Sequence, residues 1–241
     1  MLAGYGAGEK GAREAARGGA AVVVVDTYRA STTIAVLVAH GARVVPVASM
    51  EEAKVYPADF RIGERGSAKV QGFDFGNSPT EIEEARIPPG STVVLSSTNG
   101  TRIIEAAHGS PGIFIGAFVN AGAVAEALLN TATDGSRVVV VGCGWRGRRA
   151  SEDESAAGEI LGRLRQGGAE LEERAERILK EHRERPRGAL LTNTAARRIK
   201  RLGYEKDLGF CLAPDTVPVA PHLVGGAFVR AGSPPSSSPR P

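Results

Sequence analysis

AVVVVDTYRASTTIAVLVAHGA, residues 21–42, carries an apolar strand directly into an apolar helix. Four consecutive valines, Val22 to Val25, suit a strand covered on both faces. The run stops at a carboxylate, Asp26. Arg29 follows, then Ser31, Thr32 and Thr33 at the head of a helix predicted over Ser31 to His40. In open α/β sheets, ligands sit beyond the carboxyl ends of the strands, where helix N-termini offer free backbone N–H groups and partial positive charge. At such a place Asp26 suits a divalent cation or the reacting group, Arg29 an anion in a two-pronged grip, and Ser31, Thr32 and Thr33 a set of hydroxyl and amide donors. The same residues also fit a plain turn with Ser31 as helix N-cap.

Working outward, Val44 to Val47, Thr92 to Leu95, Gly112 to Ile115 and Val138 to Val141 read as further buried strands, bounded by Gly, Pro, Asn or Ser. Helical spacing recurs between them, over Thr101 to Ala107 and Asn120 to Leu129, each beginning with a residue able to cap a helix. This alternation predicts an α/β fold with a largely parallel sheet covered on both faces. Beyond Ser151 the chain turns mostly helical. Ala169 to Arg185, dense in Glu and Arg, carries Leu171, Ala175, Ile178 and Leu179 along one stripe, as a helix with a solvated charged face would. One α/β domain is expected over 1–230, and a disordered Pro/Ser-rich tail over 231–241.

Composition narrows the class. A chain of 241 residues with 42% hydrophobic content can bury a substantial core. Thirty Lys and Arg against 27 Asp and Glu give a net charge of only +3, and aromatic residues make up only 5%, so a nucleic-acid binder with basic stripe and stacking platforms is not expected. No apolar run approaches the roughly 18 residues that cross a bilayer. With only Cys143 and Cys211, and no charged segment followed by an apolar one at the start, a cytoplasmic protein is expected. A homo-oligomer is compatible with the sequence, but no patch marks an interface.

A second junction repeats the chemistry of the first. TVVLSSTNGTRII, residues 92–104, is again an apolar strand, followed by Ser96, Ser97, Thr98, Asn99, Gly100, Thr101 and Arg102 before a helix. The helical pattern after Asn-Gly favours strand-turn-helix over hairpin, with a glycine that lets backbone approach a ligand. Two such junctions suggest one oxyanion gripped from two sides. Between them IGERGSAKVQGFDFGNSP, residues 62–79, gathers Glu64, Arg65, Lys69, Asp74, Asn77 and Ser78 among glycines. Long irregular loops in compact domains are often functional, and Phe73 and Phe75 offer apolar anchors, so an ordered active-site loop is expected. Asp26, Glu64, Asp74, Glu152 and Asp153 are hard oxygen donors of the kind Mg²⁺ accepts; for Glu152 and Asp153 at the head of a helix, pairing with the helix dipole fits equally.

VVVVDTYRASTTI, GERGSAKVQGFDFGNSP, STNGTR and SEDESAAGEI, in this order and spacing, resemble the 2-phosphosulfolactate phosphatase family, from about Val22 to Pro221. The resemblance implies a three-layer α/β/α fold and a magnesium-dependent phosphatase that acts on 2-phospho-3-sulfolactate in coenzyme M biosynthesis. Asp26, Arg29, Glu64 and Arg65 are then the expected catalytic residues. Ser31, Thr32, Thr33, Asn77, Ser78, Thr98, Asn99, Gly100, Thr101 and Arg102 are expected to bind substrate, and Asp26, Asp74, Glu152 and Asp153 the metal. The family pattern is broken by Thr27 and Tyr28 and by an unusually basic CGWRGRR, residues 143–149.

Phosphoryl transfer asks mainly for positive charge around the equatorial oxygens, a metal and an aligned nucleophile. Arg29, Arg65 and Arg102 can supply the charge; whether a carboxylate or a metal-bound water attacks is open. Haloacid-dehalogenase-type chemistry is disfavoured because Tyr28 stands where a second aspartate is needed. A cysteine-nucleophile mechanism has the spacing Cys143-x₅-Arg149, but Gly142 and Ala150 replace the expected histidine and hydroxyl residue. Cys211 reads as core. A non-catalytic sensor of a phosphorylated or sulfonated metabolite uses the same anion-gripping features.

Overall fold

The computed structural model describes residues 1–232. The first half of the chain runs β1 (Leu2–Ala7), α1 (Gly8–Arg17), β2 (Ala21–Val25), α2 (Ala30–Ala39), β3 (Arg43–Pro46), α3 (Met50–Val55), β4 (Phe60–Arg65), β5 (Ala68–Lys69), α4 (Pro79–Ala85), β6 (Thr92–Ser96) and α5 (Gly100–Ala106). The second half runs β7 (Ile113–Ile115), α6 (Ala121–Asn130), β8 (Arg137–Gly142), α7 (Ser151–Gln166), β9 (Glu170–Leu171), α8 (Glu173–Glu184), α9 (Arg187–Leu190), α10 (Thr194–Arg201), α11 (Glu205–Leu212), β10 (Pro221–Val224) and β11 (Ala227–Arg230). Ala231 and Gly232 form a turn. The rest of the expected tail lies outside the described residues.

All eleven strands join one mixed sheet in the order β5-β4-β6-β3-β11-β10-β7-β2-β8-β1-β9. It has two parallel halves. One pairs β4, β6 and β3, the other β7, β2, β8, β1 and β9, and the antiparallel hairpin β10–β11 is inserted between them. Each join to that hairpin rests on a single register pair, Phe228 with Val44 and His222 with Phe114. In a flat sheet the five spacings from β6 to β2 would separate them by about 24 Å. Yet a Cβ built on Gly100, just beyond β6, would lie 3.2 Å from the Asp26 carboxylate, just beyond β2. The sheet therefore curls until the carboxyl ends of its two halves meet.

The sequence of α2 explains what fills the curl. Its residues Ala30 to Val38 are all buried, hydroxyls included, so the helix has no solvent face. It packs on β3, β11, β10 and β7, the strands at the bend. Ile34 and Leu37 are fully buried, each worth about 1.5–3 kcal/mol in apolar area removed from water. On the other face of the β7–β9 half, Val23, Val25, Val138 and Val140 pack against α6, α7 and α8 through Val124, Leu128, Ile160, Leu161 and Ile178. Helices thus cover both faces, and the alternating layers expected from the sequence are present.

Several local expectations change. β1 was absent from the reading because its LAGYGA has little β-branched signal, and the glycines there serve packing. A Cβ on Gly11 of α1 would lie 2.9 Å from the Gly6 backbone of β1, so the pair allows close helix-on-strand contact. Residues 62–79 are not one irregular loop. Glu64 and Arg65 pair with Lys69 and Ala68 across Gly66 and Ser67, both at positive φ, and Phe73 anchors the rest against Gly63. The charged helix begins at Glu173, with Leu171 on β9 and Ala175, Ile178 and Leu179 buried. Ser31 and Thr101 lie inside their helices, and Asn120, although at the N-cap position of α6, makes no side-chain cap bond; their side chains bond elsewhere.

Gly11→Ala should destabilise by about 1–3 kcal/mol, because the added carbon meets backbone. Gly209→Ala, in the interior of α11 with open space around it, should stabilise by roughly 0.5–1 kcal/mol. Urea midpoints of the two variants check both signs.

Candidate active site

At the end of β2 the chain is fastened before any ligand is considered. The Asp26 N–H donates to Ser31 Oγ at 2.8 Å, Ser31 Oγ donates to the Val24 carbonyl at 3.1 Å, and Thr32 Oγ1 donates to the Thr27 carbonyl at 3.1 Å. Two of the three hydroxyls expected to hold substrate therefore shape the turn that presents Asp26. Thr33 Oγ1 is buried without a hydrogen-bond partner among the described residues. The peptide between Tyr28 and Arg29 is cis.

The β4–β6 half supplies the opposite wall. Glu64, near the end of β4, is buried and accepts from the Thr98 N–H and Thr98 Oγ1, each at 3.1 Å, and from the Ser67 N–H. Arg65 is exposed; it donates to the Glu64 carbonyl at 2.7 Å and to Ser96 Oγ at 3.2 Å, tying β4 to β6. Thr101 Oγ1 donates to the Ser97 carbonyl at 3.1 Å. Gly100 keeps this approach close: a Cβ there would stand 3.1 Å from Ala30, 3.2 Å from Asp26 Oδ2 and 3.3 Å from Ser97 Oγ, tighter than most side-chain contacts.

The head of α7 brings two more carboxylates. Both Asp153 oxygens are engaged, Oδ1 by the Thr27 N–H at 2.8 Å and Oδ2 by the Gly144 N–H at 2.9 Å, so Asp153 braces the turns after β2 and β8. Glu152 accepts from Asn193 Nδ2 at 2.7 Å. Burial, and after it the Glu64 carboxylate, push the Asp26 carboxyl up to about 7; Glu152 adds to this, while the Ala30 N–H and Arg29 oppose it. Burial and then Glu152 and Asp26 raise Asp153 as well, and burial raises Glu152 against Asn193 and Arg198. Asp26, Glu64, Glu152 and Asp153 thus share one field, in which full ionisation is unfavourable without a cation.

Among the described residues no three His, Cys, Asp or Glu side chains are arranged to hold a metal by themselves. Mg²⁺ commonly takes one or two carboxylates and keeps waters for the rest. Asp26 and Glu152 fit that donor chemistry, and a cation beside them would relieve the repulsion that raises Asp26. Asp74 does not belong to the group: it is exposed, and its Oδ2 accepts the Arg61 N–H at 2.7 Å. Its expected metal role is corrected, because the turn after β5 carries it away from the junction. Ser78 caps α4 and donates to Asp207 Oδ1 at 2.8 Å, a structural use. Asn77 is buried, with Oδ1 lacking a hydrogen-bond partner among the described residues.

Arg29 also departs from expectation. Its guanidinium is 2% exposed, donates to Asp207 Oδ2 and to the Ser67 carbonyl at 2.7 Å each, and lies 4.4 Å over the Tyr204 ring. Asp207 is in turn satisfied by Ser78 and Thr80. The fork grips the protein, joining the α2 turn to the β4–β5 hairpin and α11. A lone Asp in a helical stretch far along the chain gave no sign of this partnership.

The Cys143 to Arg149 segment does not form a phosphate loop. Trp145 and Arg148 bond each other, N–H to carbonyl, at 2.9 and 3.0 Å, across Arg146 and Gly147 at positive φ, which is the geometry of a two-residue hairpin turn. Arg149 is paired with Glu154 and, at 2.8 Å, with Glu181. Cys143 is buried, and burial, then Asp26 and Asp153, raise its thiol well above the ordinary range, so a thiolate is disfavoured. The hairpin separates two clefts. The smaller, about 470 Å³, is lined by Asn99, Arg102, Cys143, Arg148 and Asp153. The larger, about 620 Å³, is lined by Trp145, Arg146, Glu152, Asn193 and Arg198. Asp26 lines neither, but its electrostatic neighbours come from both: Glu152 from the larger, Cys143 and Asp153 from the smaller.

Arg198 was missed by sequence reading. Its Nε donates to Ser67 Oγ at 2.8 Å, and Glu64 and Glu152 act on it from the two walls while burial draws its guanidinium down. It sits in AARRIKR, where basic residues on an amphipathic helix read as surface.

Comparison with known proteins places this geometry. The sequence model of 2-phosphosulpholactate phosphatase matches residues 9–226. A protein named probable 2-phosphosulfolactate phosphatase from Thermotoga petrophila is 36% identical over 211 residues, covering 86% of this chain and 90% of that protein. Proteins of the same name from Carboxydothermus hydrogenoformans and Gloeobacter violaceus are each 38% identical, covering 88% and 87% of this chain and 91% of their own length. The chain belongs to the 2-phosphosulpholactate phosphatase family, a family of phosphoric monoester hydrolases.

Proposed function

We propose that this protein hydrolyses the phosphate monoester of a small 2-hydroxy acid, 2-phospho-3-sulfolactate, to 3-sulfolactate and phosphate, with Mg²⁺ as cofactor. A cytoplasmic place in coenzyme M biosynthesis belongs to the same proposal. The observation that carries it is the convergence of Asp26, Glu64 and Glu152 from both halves of the sheet, beside clefts rimmed by Arg102, Arg146, Arg148 and Arg198. Carboxylates with cations around them suit a phosphate ester bridged through a metal, whereas a site for neutral ligands would not concentrate charge of both signs.

Asp26 and Glu152 would hold the cation, which when bound supplies positive charge to phosphate oxygens and to an attacking oxygen. Asp26 is kept in place by Ser31, Glu152 by Asn193, and Glu64 by Thr98 and the Ser67 N–H. Glu64, whose oxygens already accept three donors, acts as a fixed negative group facing Asp26 across the seam. Arg65 and Thr98 make its position depend on β6, and Arg29 makes the Asp26 turn depend on Asp207. The N-terminus of α5, with Asn99 and Arg102, adds donors on the side of the smaller cleft.

Phosphate release from a panel of phosphorylated 2-hydroxy acids should be abolished by EDTA and restored by Mg²⁺. Full turnover after thorough chelation would remove the metal from the proposal, and no turnover of any panel member with Mg²⁺ would favour a sensor. Asp26→Asn should stay folded and lose at least about 100-fold in kcat. Cys143→Ala should retain turnover within about threefold and lose about 1 kcal/mol of stability, since only a buried sulfur is removed. An inactive, folded Cys143→Ala beside an active Asp26→Asn would reverse the assignment.

A further inference from the structure

The hairpin of residues 145–148 holds an arrangement that the reaction centre does not use. The Trp145 indole carries two guanidinium groups over its ring, Arg198 Cζ at 4.2 Å from the centroid and Arg146 Cζ at 4.4 Å. The hairpin that carries Trp145 is rigidly made. Gly144 adopts φ +67 with the Arg148 carbonyl 2.3 Å from where a Cβ would be, and its N–H is held by Asp153. Arg146 itself stands at φ +51.

Stacking occupies the faces of the guanidinium groups and leaves their in-plane N–H donors for a ligand. Among the described residues, Arg146 makes no ion pair and no side-chain hydrogen bond, and Arg198 bonds only through Nε to Ser67. Arg149, on the same loop, is consumed by Glu154 and Glu181 and so forms wall rather than ligand site. The Trp145 cleft also contains Glu152, so a small ligand can span from the carboxylate cluster to the two arginines within its about 620 Å³.

We infer that Arg146 and Arg198, both held over the ring of Trp145, form the subsite for the acid group of the substrate that lies beyond its carboxylate, and that they select phosphate esters carrying such a second acid group. Trp145 is a positioning residue: it holds the two guanidinium groups so that an anion in the cleft is offered donors from both. The inference rests on the phosphatase reading above for where the phosphate sits. Two cations pre-ordered on an aromatic plate lose little side-chain freedom on binding, so the selection is expected to show mainly in KM.

The test compares kcat/KM for 2-phospho-3-sulfolactate with that for 2-phospholactate, which lacks the second acid group. In Arg146→Asn, whose new side chain tolerates the left-handed turn, and in Trp145→Ala, the ratio of the two should fall about tenfold or more, chiefly through KM. Trp145→Tyr, which keeps a π face, should recover most of the ratio. A ratio unchanged in Arg146→Asn, or equal losses on both substrates in both variants, would overturn the inference. If the wild type hydrolyses neither ester, the phosphatase reading fails by itself. The subsite is then read by thermal shift with 3-sulfolactate, which should raise the wild-type midpoint but not that of Arg146→Asn. No wild-type shift, or an equal one in the variant, would overturn it on that route.

Discussion

Mutual repulsion among buried carboxylates is the constraint around which this protein is built. Asp26, Glu64, Glu152 and Asp153 come from three separate strand ends and are all nearly removed from water; beside the effect of burial, Glu64 and Glu152 raise the proton affinity of Asp26, and Glu152 and Asp26 that of Asp153. No fold gathers such groups for stability, since each unneutralised buried charge carries a desolvation penalty. The sheet must instead hold them together against their field. It does so by curling around α2, a helix buried on every side, until the end of β2 meets the turn after β6. Gly100 marks the seam, where one carbon more would press tightly on both halves.

The residues that hold the cluster are largely not members of it. Ser31 and Thr32 fix the Asp26 turn, Thr98 and Arg65 fix Glu64 to β6, and Asn193 reaches from α10 to Glu152. The Arg29–Asp207 pair works at longer range, closing α11 onto the α2 turn with every Asp207 oxygen satisfied. Such a pair breaks asymmetrically: removing one partner leaves a charge with no exit to water. Polar residues that look like a binding site in sequence thus divide into those that face a ligand and those that position them, and hydrogen-bond partners decide which is which.

Much of this was legible beforehand, and the rest had physical reasons not to be. Four valines ending in Asp26, and a second apolar run ending in Ser96, marked two strand-to-helix junctions correctly, because buried strands and buried helices write dense apolar signals. The family motifs also placed Glu152 and Asp153 beside Asp26. Three things left no local signal. β1 is glycine-rich because α1 packs on it closely, so its pattern resembles a loop. Asp74 sits among functional-looking residues, yet the turn after β5 carries it to the Arg61 N–H. Arg198 and Asp207 act through partners over 100 residues away, and Asn193 through one 41 residues away; pairing at such separations is a property of topology.

The central claim, that Asp26 is held ionisable at the cost of stability, is tested most directly by the thermal midpoint of Asp26→Asn against wild type, in metal-free buffer across pH. With the folded carboxyl pushed up to about 7 from an ordinary 3.8, the folded chain keeps a proton that the unfolded chain releases between those values. Stability contributed by this group is therefore present below the ordinary value and lost as pH rises toward 7. The variant should match wild type at the acid end and exceed it above about pH 7, by on the order of a few kcal/mol, and added Mg²⁺ should raise the wild-type midpoint alone. An Asp26→Asn midpoint equal to or below wild type above that pH, or an equal Mg²⁺ response in both, would contradict it.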